Sequence, residues 1–207
     1  MDSPRRQPQA TQQKVQAPGP ADAVVRSQAR ILTIGHSTHP LDEFIRLLQM
    51  HGVQRLADVR TVPRSRYNPQ FNRETLPDAL AAARIRYVHL PKLGGLRHPR
   101  KDSPNAGWRN DSFRGYADYM QTPEFAGAVD ELIDLAGTEP LVIMCAEAVP
   151  WRCHRSLISD ALFARGIVAE HIMSAAQRDP HTLTSFAVVQ GFHVLYPAVP
   201  GQPTLPL

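Results

Sequence analysis

The 207-residue sequence has no long apolar stretch and only two cysteines. None of its apolar runs approaches the roughly 18 residues that a transmembrane helix needs, so we expect no membrane association. The N-terminal residues lack the apolar core of a secretory signal, and we therefore expect a cytoplasmic protein. Cys145 and Cys153 are too few for a disulfide framework, which agrees with a reducing compartment.

The two ends of the chain are poor in large apolar side chains. Residues 1–28 are rich in Pro, Gln and Ala, and residues 197–207 contain four prolines. Segments of this composition bury too little surface to offset the entropy of the chain. We therefore predict a disordered leader over residues 1–28, one folded domain over residues 29–196 and an extended tail over residues 197–207.

Between these ends, short apolar segments alternate with segments of helical periodicity. The patterns predict strands at residues 31–34, 55–59, 85–90, 141–144 and 167–172. They predict helices at residues 41–51, 73–84, 113–121, 123–136 and 153–165. Such alternation is typical of parallel strands joined by right-handed crossovers. The predicted fold class is therefore α/β: a single domain with a mostly parallel open sheet of about five strands and helices on both faces.

Unusual polar residues and glycines follow the ends of four predicted strands. They are His36 and Ser37, then Asp58 and Arg60, then His89, Gly94 and Gly95, and finally Cys145 and Glu147. The carboxyl ends of parallel strands share one edge of a sheet, where α/β folds place their ligands. We therefore predict that these residues converge on one pocket, which His171 could join from the fifth strand.

Residues 60–114 carry a strong excess of positive charge. They contain ten arginines and two lysines against four carboxylates, together with five aromatic side chains. Arginine mixed with aromatic residues is used to bind phosphate backbones and to stack on bases, although a solvated basic face has the same composition. We predict a nucleic acid or nucleotide partner, with phosphate contacts from Arg60, Arg64, Arg66, Arg114, His154 and Arg155.

The segment from Cys145 to Arg155 offers two kinds of cysteine chemistry. Cys145 could be a nucleophile activated by a helix N-terminus and nearby cations, or an inert buried thiol. Six residues separate Cys145 from Arg152, one more than the phosphate loop of cysteine phosphatases allows. Cys145, Cys153 and His154 would give a structural zinc only three of its usual four ligands, and adjacent residues usually point to different faces. We therefore predict no metal and no cofactor.

Asp58 and Glu147 are the candidate catalytic carboxylates, because paired carboxylates can divide acid and base roles. Asp58 could equally well pair with Arg60 or Arg155 and hold the edge of the sheet together. His36 is a candidate acid or orienting residue, or else a structural histidine. Tyr116 either presents its ring to the pocket or packs in the core.

Several blocks of the sequence occur together, in this order, in one known family. They are TIGHS at residues 33–37, DVR and PRSR within residues 58–66, LGG at 93–95, FRGYADYM at 113–120, and CAE with CHR within 145–155. The chain thus resembles the bacterial and archaeal domain-of-unknown-function family numbered 488, over roughly residues 31–175.

The resemblance implies an α/β fold and links the chain to relatives connected with removing modified bases from DNA. On this basis we expect a DNA glycosylase-type hydrolase in DNA repair, with DNA preferred over RNA. Two alternatives are a nucleic-acid-binding module without turnover, and a cysteine-dependent enzyme that acts on a small phosphorylated or sulfur-containing substrate.

Overall fold

Buried apolar runs form the strands and amphipathic segments form the helices over residues 31–198, which are the residues that this computed structural model describes. The predicted leader and residues 199–207 of the predicted tail lie outside this range. The elements are β1 (Ile31–Gly35), α1 (Leu41–Met50), β2 (Arg55–Asp58), α2 (Leu76–Ala82), β3 (Arg86–His89), α3 (Asp111–Tyr119), α4 (Pro123–Ala136), β4 (Leu141–Cys145), α5 (Arg155–Phe163), β5 (Glu170–Ile172), β6 (Arg178–Pro180), β7 (Val188–Gln190) and β8 (His193–Leu195).

Six strands form one sheet in the order β3-β2-β4-β1-β5-β6. The first five are mutually parallel, and β6 pairs antiparallel with β5. Gly35 is in register with Cys145, and Asp58 with Met144, so that β1, β2 and β4 end at the same edge. The predicted α/β class is confirmed. β6 and the β7–β8 hairpin were not predicted, because strands of three residues are too short to show a periodic pattern.

Alternate residues of β4 face two separate apolar cores. Val142 and Met144 pack on the side of α1 and α2, whereas Ile143 and Cys145 pack on the side of α3, α4 and α5. Helices therefore cover both faces of the sheet, as predicted, and β4 is buried throughout. Within residues 31–198, no helix has the length and apolar character required to cross a bilayer.

Local signals explain where the helices begin and end. The side chain of Asn110 accepts hydrogen bonds from the first turn of α3, and Thr122 caps α4 ahead of Pro123. Gly52, with φ of +69°, follows the end of α1. The helix predicted over residues 73–84 is shorter, because residues 69–75 form a 3₁₀ turn and a further turn before α2 starts.

The segment that contains β6, β7 and β8 is tied to α5 through Asp160, which is fully buried. One carboxylate oxygen accepts hydrogen bonds from His181 Nε2 at 2.7 Å and from the Thr184 backbone N–H at 3.0 Å. The other accepts from the hydroxyls of Thr184 and Tyr196, both at 2.7 Å. Four donors on one buried carboxylate make this segment part of the folded domain.

Candidate functional site

A cavity of about 730 Å³ opens at the carboxyl ends of β1, β2 and β4, the edge that the sequence analysis predicted. The predicted site residues that line it are His36, Ser37, Arg60, Arg64, Gly95, Cys145, Glu147 and His154. Arg152 and Cys153 also line it, although neither was among the predicted site residues. The polar ends of three strands therefore converge as the parallel topology requires.

Several predicted residues lie away from the cavity lining, among them Tyr116, Arg114, Gly94 and Arg66. Tyr116 is buried and its hydroxyl donates to the Leu93 carbonyl at 2.9 Å, which is the core position considered as the alternative. Arg114 pairs with Asp111 at 2.7 Å. Gly94 is buried against Thr61, and Arg66 is exposed outside the lining. These side chains do not reach the cavity in this structure.

Asp58 is buried beneath the cavity and has partners on both carboxylate oxygens. Arg60 Nε donates to Oδ1 at 2.9 Å and Arg60 Nη2 donates to Oδ2 at 2.6 Å. The Tyr87 hydroxyl donates to Oδ2 at 2.9 Å, and burial beside this carboxylate raises the pKa of Tyr87. Asp58 therefore holds Arg60 in place, which is the structural role that the sequence analysis left open for it.

His36 is also buried, with its ring stacked on Phe71 at a centroid distance of 4.2 Å. Its Nε2 lies 3.2 Å from Arg60 Nη1, and its Nδ1 lies 2.9 Å from the Ser37 carbonyl oxygen. The guanidinium can only donate and the carbonyl can only accept, so the ring is neutral with its proton on Nδ1. Burial lowers the pKa of His36 to about 4, in agreement with this assignment.

Arg155 is 1% exposed and connects three segments around the cavity. Its Nη2 donates to the Glu147 carbonyl at 2.6 Å, its Nη1 donates to Thr33 Oγ1 at 3.3 Å, and its Nε donates to Cys153 Sγ at 3.4 Å. With its donors occupied inside the protein, Arg155 shapes the loop after β4 and does not line the cavity. His171, which was considered as a possible addition to the pocket, contacts Thr33 and also lies outside the cavity.

Cys145, Cys153 and His154 form a cluster at the base of the cavity. His154 Nδ1 lies 3.9 Å from Cys145 Sγ and 3.7 Å from Cys153 Sγ. Hydrogen bonding with the Cys145 thiol lowers the pKa of Cys153 against the opposing effect of burial, and the nearby Arg155 guanidinium lowers it as well. The pKa of Cys145 is raised. Cys153 is thus the thiol whose surroundings, with two N–H groups of Arg155 beside its sulfur, favour ionisation. From the sequence, only Cys145 was considered as a nucleophile, with an inert buried thiol as the alternative.

The expectation that Cys153 and His154 point to different faces is wrong. Cys153 is extended, with φ −133° and ψ 146°, whereas His154 is helical, with φ −57° and ψ −12°. The chain changes conformation between the two residues, so the alternation of side chains in a strand does not apply. Both side chains consequently line the same cavity.

Glu147 is the only cavity-lining carboxylate among residues 31–198, and it is exposed. Its backbone carbonyl is fixed by Arg155 and lies so close to Gly35 that no Cβ could be accommodated there. Among the described residues, no hydrogen bond or ion pair engages its carboxylate. The loop is thus anchored through its backbone, while the Glu147 side chain remains available to a ligand.

Exposed arginines line the cavity, and exposed aromatic residues lie close to them in the sequence. Arg64 and Arg152 line the cavity and are exposed. Their chain neighbours include Trp151, which is 64% exposed, and Tyr67, which is 93% exposed. Guanidinium groups are suited to binding phosphates, and accessible rings are suited to stacking on bases.

Residues 40–162 match the family described as "Domain of unknown function DUF488", and this match covers more than half of the chain. The chain belongs to the DUF488 family. Within the DUF488 match lie α1 to α4, β2 to β4 and most of α5, together with the Cys145–Arg155 segment. Comparisons with curated proteins and with solved structures gave no match.

The DUF488 match does not include every part of the cavity. His36 and Ser37 precede residue 40, yet both line the cavity because β1 pairs with β4 in the centre of the sheet. Cys153 lies within the match but was not among the predicted site residues. The one feature of the sequence that could have identified it is its position next to His154, which was predicted.

Proposed function

We propose that this protein is a hydrolase that acts on a nucleotide unit of nucleic acid, most concretely by removing a modified base from DNA. The observation that carries the proposal is the unpaired Glu147 carboxylate in an arginine-lined cavity. Hydrolysis at a glycosidic carbon requires a carboxylate that activates water or stabilises an oxocarbenium-like centre. Glu147 is available for either role.

The dimensions and the rim of the cavity support a nucleotide unit as the substrate. A volume of about 730 Å³ falls within the range typical of small-molecule sites and accommodates a base extruded from a duplex. Arg64 and Arg152 would bind the flanking phosphates, while Trp151 and Tyr67 would stack on neighbouring bases. The rim favours DNA or RNA over a small uncharged substrate, and the family resemblance favours DNA.

Within this proposal, Glu147 alone is the catalytic carboxylate, whereas Asp58 and Glu147 were both candidates from the sequence. Both oxygens of Asp58 are occupied by Arg60 and Tyr87, so Asp58 acts as a positioning residue. His36 is neutral and orients Arg60, which lines the cavity. The two cysteines are free thiols, which supports a reducing compartment such as the cytoplasm.

The test is base release from single- and double-stranded oligonucleotides that carry alkylated, oxidised or deaminated bases. We expect E147Q to lower the rate of release at least about 100-fold, the lower range for loss of an acid or base group, without weakening DNA binding. E131Q is the matched control, because Glu131 is an exposed carboxylate on α4 outside this cavity.

Two outcomes would contradict the proposal. DNA binding with steep salt dependence but no base release by the wild-type protein would indicate a binding module. Base release that is equal in E147Q and wild type would exclude Glu147 as the catalytic carboxylate.

A further inference from the structure

Three atoms of the kinds that bind transition metals meet at the base of the cavity. Cys145 Sγ, Cys153 Sγ and His154 Nδ1 all lie within 4.8 Å of one another. The two sulfur–nitrogen distances are 3.9 and 3.7 Å. A tetrahedral zinc ion, with Zn–S of about 2.3 Å and Zn–N of about 2.0–2.1 Å, holds sulfur and nitrogen ligands about 3.6 Å apart. The three atoms therefore need to move only slightly to surround one ion.

His154 has the orientation and tautomer that a metal ligand requires. Its Nε2 lies 3.2 Å from the Val59 carbonyl oxygen, which can only accept, so Nε2 carries the proton. The lone pair of Nδ1 is consequently free on the side of the two sulfurs. A ligating histidine commonly donates its other N–H to a backbone carbonyl in this way. Gly95 packs against the imidazole and limits its rotation.

Donors around Cys153 favour the anionic form of its sulfur. The backbone N–H of Arg155 lies 3.5 Å from Sγ and its Nε lies 3.4 Å from Sγ. Hydrogen bonds of this kind orient a thiolate ligand and offset part of its negative charge. Cys145 and Cys153 are both more than nine-tenths buried, so water competes little for their sulfurs.

We propose that Cys145, Cys153 and His154 bind one divalent cation of the zinc class, with the remaining coordination position open to the cavity. Thiolate and imidazole ligands select such ions over Mg²⁺ or Ca²⁺. No metal was predicted from the sequence, because a structural zinc site has four protein ligands. Three ligands that all line an open cavity instead match a catalytic zinc site, whose fourth ligand is water or substrate.

The proposal stands apart from the proposed function, because metal binding can be measured without any substrate. A bound zinc-class ion would also allow the cavity to activate a water molecule. A water molecule on the open position would have a lowered pKa, and the Glu147 carboxylate lines the same cavity and could accept its proton.

The experiment uses the full chain, stripped of metal with a chelator under reducing conditions and titrated with Zn²⁺ and with Co²⁺. We expect one ion per chain, with sulfur-to-cobalt charge-transfer bands and intense visible bands of tetrahedral cobalt. C145S, C153S and H154Q should each weaken Zn²⁺ binding by more than about 100-fold. That is the upper range for loss of a group that only supports a ligand, so loss of a ligand itself should exceed it. H39Q is the matched control, because His39 is partly exposed and does not line this cavity.

Folding of each variant is checked by circular dichroism, and the wild-type titration stands by itself if a variant does not fold. The proposal is overturned if reduced wild-type protein binds no zinc, or if its cobalt complex lacks the charge-transfer bands. It is also overturned if folded C145S and C153S bind zinc as tightly as the wild type. Protection of both thiols from alkylation by zinc, reversed by chelator, would support it.

Discussion

Arg60 and Asp58 form a two-point ion pair from which water is almost completely excluded. The guanidinium contacts both carboxylate oxygens, at 2.9 and 2.6 Å, and Arg60 and Asp58 are 7% and 0% exposed. The same guanidinium also donates to the Phe71 carbonyl at 2.6 Å and faces His36. This buried ion pair thereby connects His36 after β1, Arg60 after β2 and Phe71 in the loop that follows β2, and it fixes this wall of the cavity.

Replacing Asp58 should therefore reduce stability more than it affects the chemistry. D58N leaves a buried arginine without its counter-charge, and we expect a loss of about 3–5 kcal/mol in the free energy of unfolding. Y87F removes a single hydrogen bond to the same carboxylate and should cost about 1 kcal/mol. Urea unfolding at neutral pH measures both. A D58N protein of wild-type stability that had lost activity would instead make Asp58 catalytic.

Two buried histidines should make the fold sensitive to mild acid. Burial lowers the pKa of both His36 and His171 to about 4, whereas an unfolded histidine titrates near 6.5. Between pH 6.5 and 4 the unfolded state binds more protons, so the free energy of unfolding must decrease as the pH falls through this window.

We expect each histidine to contribute about 1–3 kcal/mol to this decrease. Denaturant unfolding of metal-free protein between pH 7.5 and 5 measures it, and H171N should flatten the profile. Stability that was independent of pH over this range would show that the two rings are not held neutral.

A methyl group at Gly95 should disturb the cysteine–histidine cluster. A Cβ there would lie 2.5 Å from His154 Nδ1 and 2.9 Å from its Cγ, so the ring must shift. We expect G95A to weaken cobalt binding by about 10–100-fold. G127A is the contrasting control: Gly127 lies on α4 with open space around it, and alanine should stabilise the helix by about 0.5–1 kcal/mol. Equal cobalt affinity in G95A and wild type would show that His154 is not held by this contact.

Replacing Trp151, which directly precedes the cavity-lining Arg152, tests whether this ring contributes to nucleic-acid binding. Its side chain is 64% exposed, so W151A should change stability by no more than about 0.5 kcal/mol. If Trp151 stacks on a base, the same variant should lose about 1–3 kcal/mol of single-stranded DNA affinity, measured by fluorescence anisotropy. F192A removes a ring that is 55% exposed but far in the sequence from every cavity-lining residue, and it should leave affinity unchanged. An equal loss in both variants would exclude a specific contribution from Trp151.

Much of the architecture follows from local patterns in the sequence. The apolar spacing before Gly52 predicts α1 closely, and the alternation of elements predicts the parallel sheet. The convergence of His36, Arg60, Cys145 and Glu147 on one cavity follows from that topology, because the ends of parallel strands coincide. These predictions needed only the order of the elements.

The partners of individual side chains could not be predicted in the same way. Whether Asp58 pairs with Arg60, pairs with Arg155 or stands free depends on the path of the loop after β2, which the sequence does not specify. The shared direction of Cys153 and His154 depends on a change of backbone conformation between two adjacent residues. Such changes carry no periodic signal.

The hydrogen bonds to Asp160 indicate that the folded unit is longer than the sequence shared with the family. The family match ends at residue 162, whereas His181, Thr184 and Tyr196 supply the hydrogen bonds to the Asp160 carboxylate. A fragment cut at the end of the match would lose β5 to β8 and all four hydrogen bonds to the Asp160 carboxylate, and we expect this to lower the free energy of unfolding by several kcal/mol. We therefore expect the shortest fragment that folds on its own to extend at least to Tyr196, well beyond the residues that match the family.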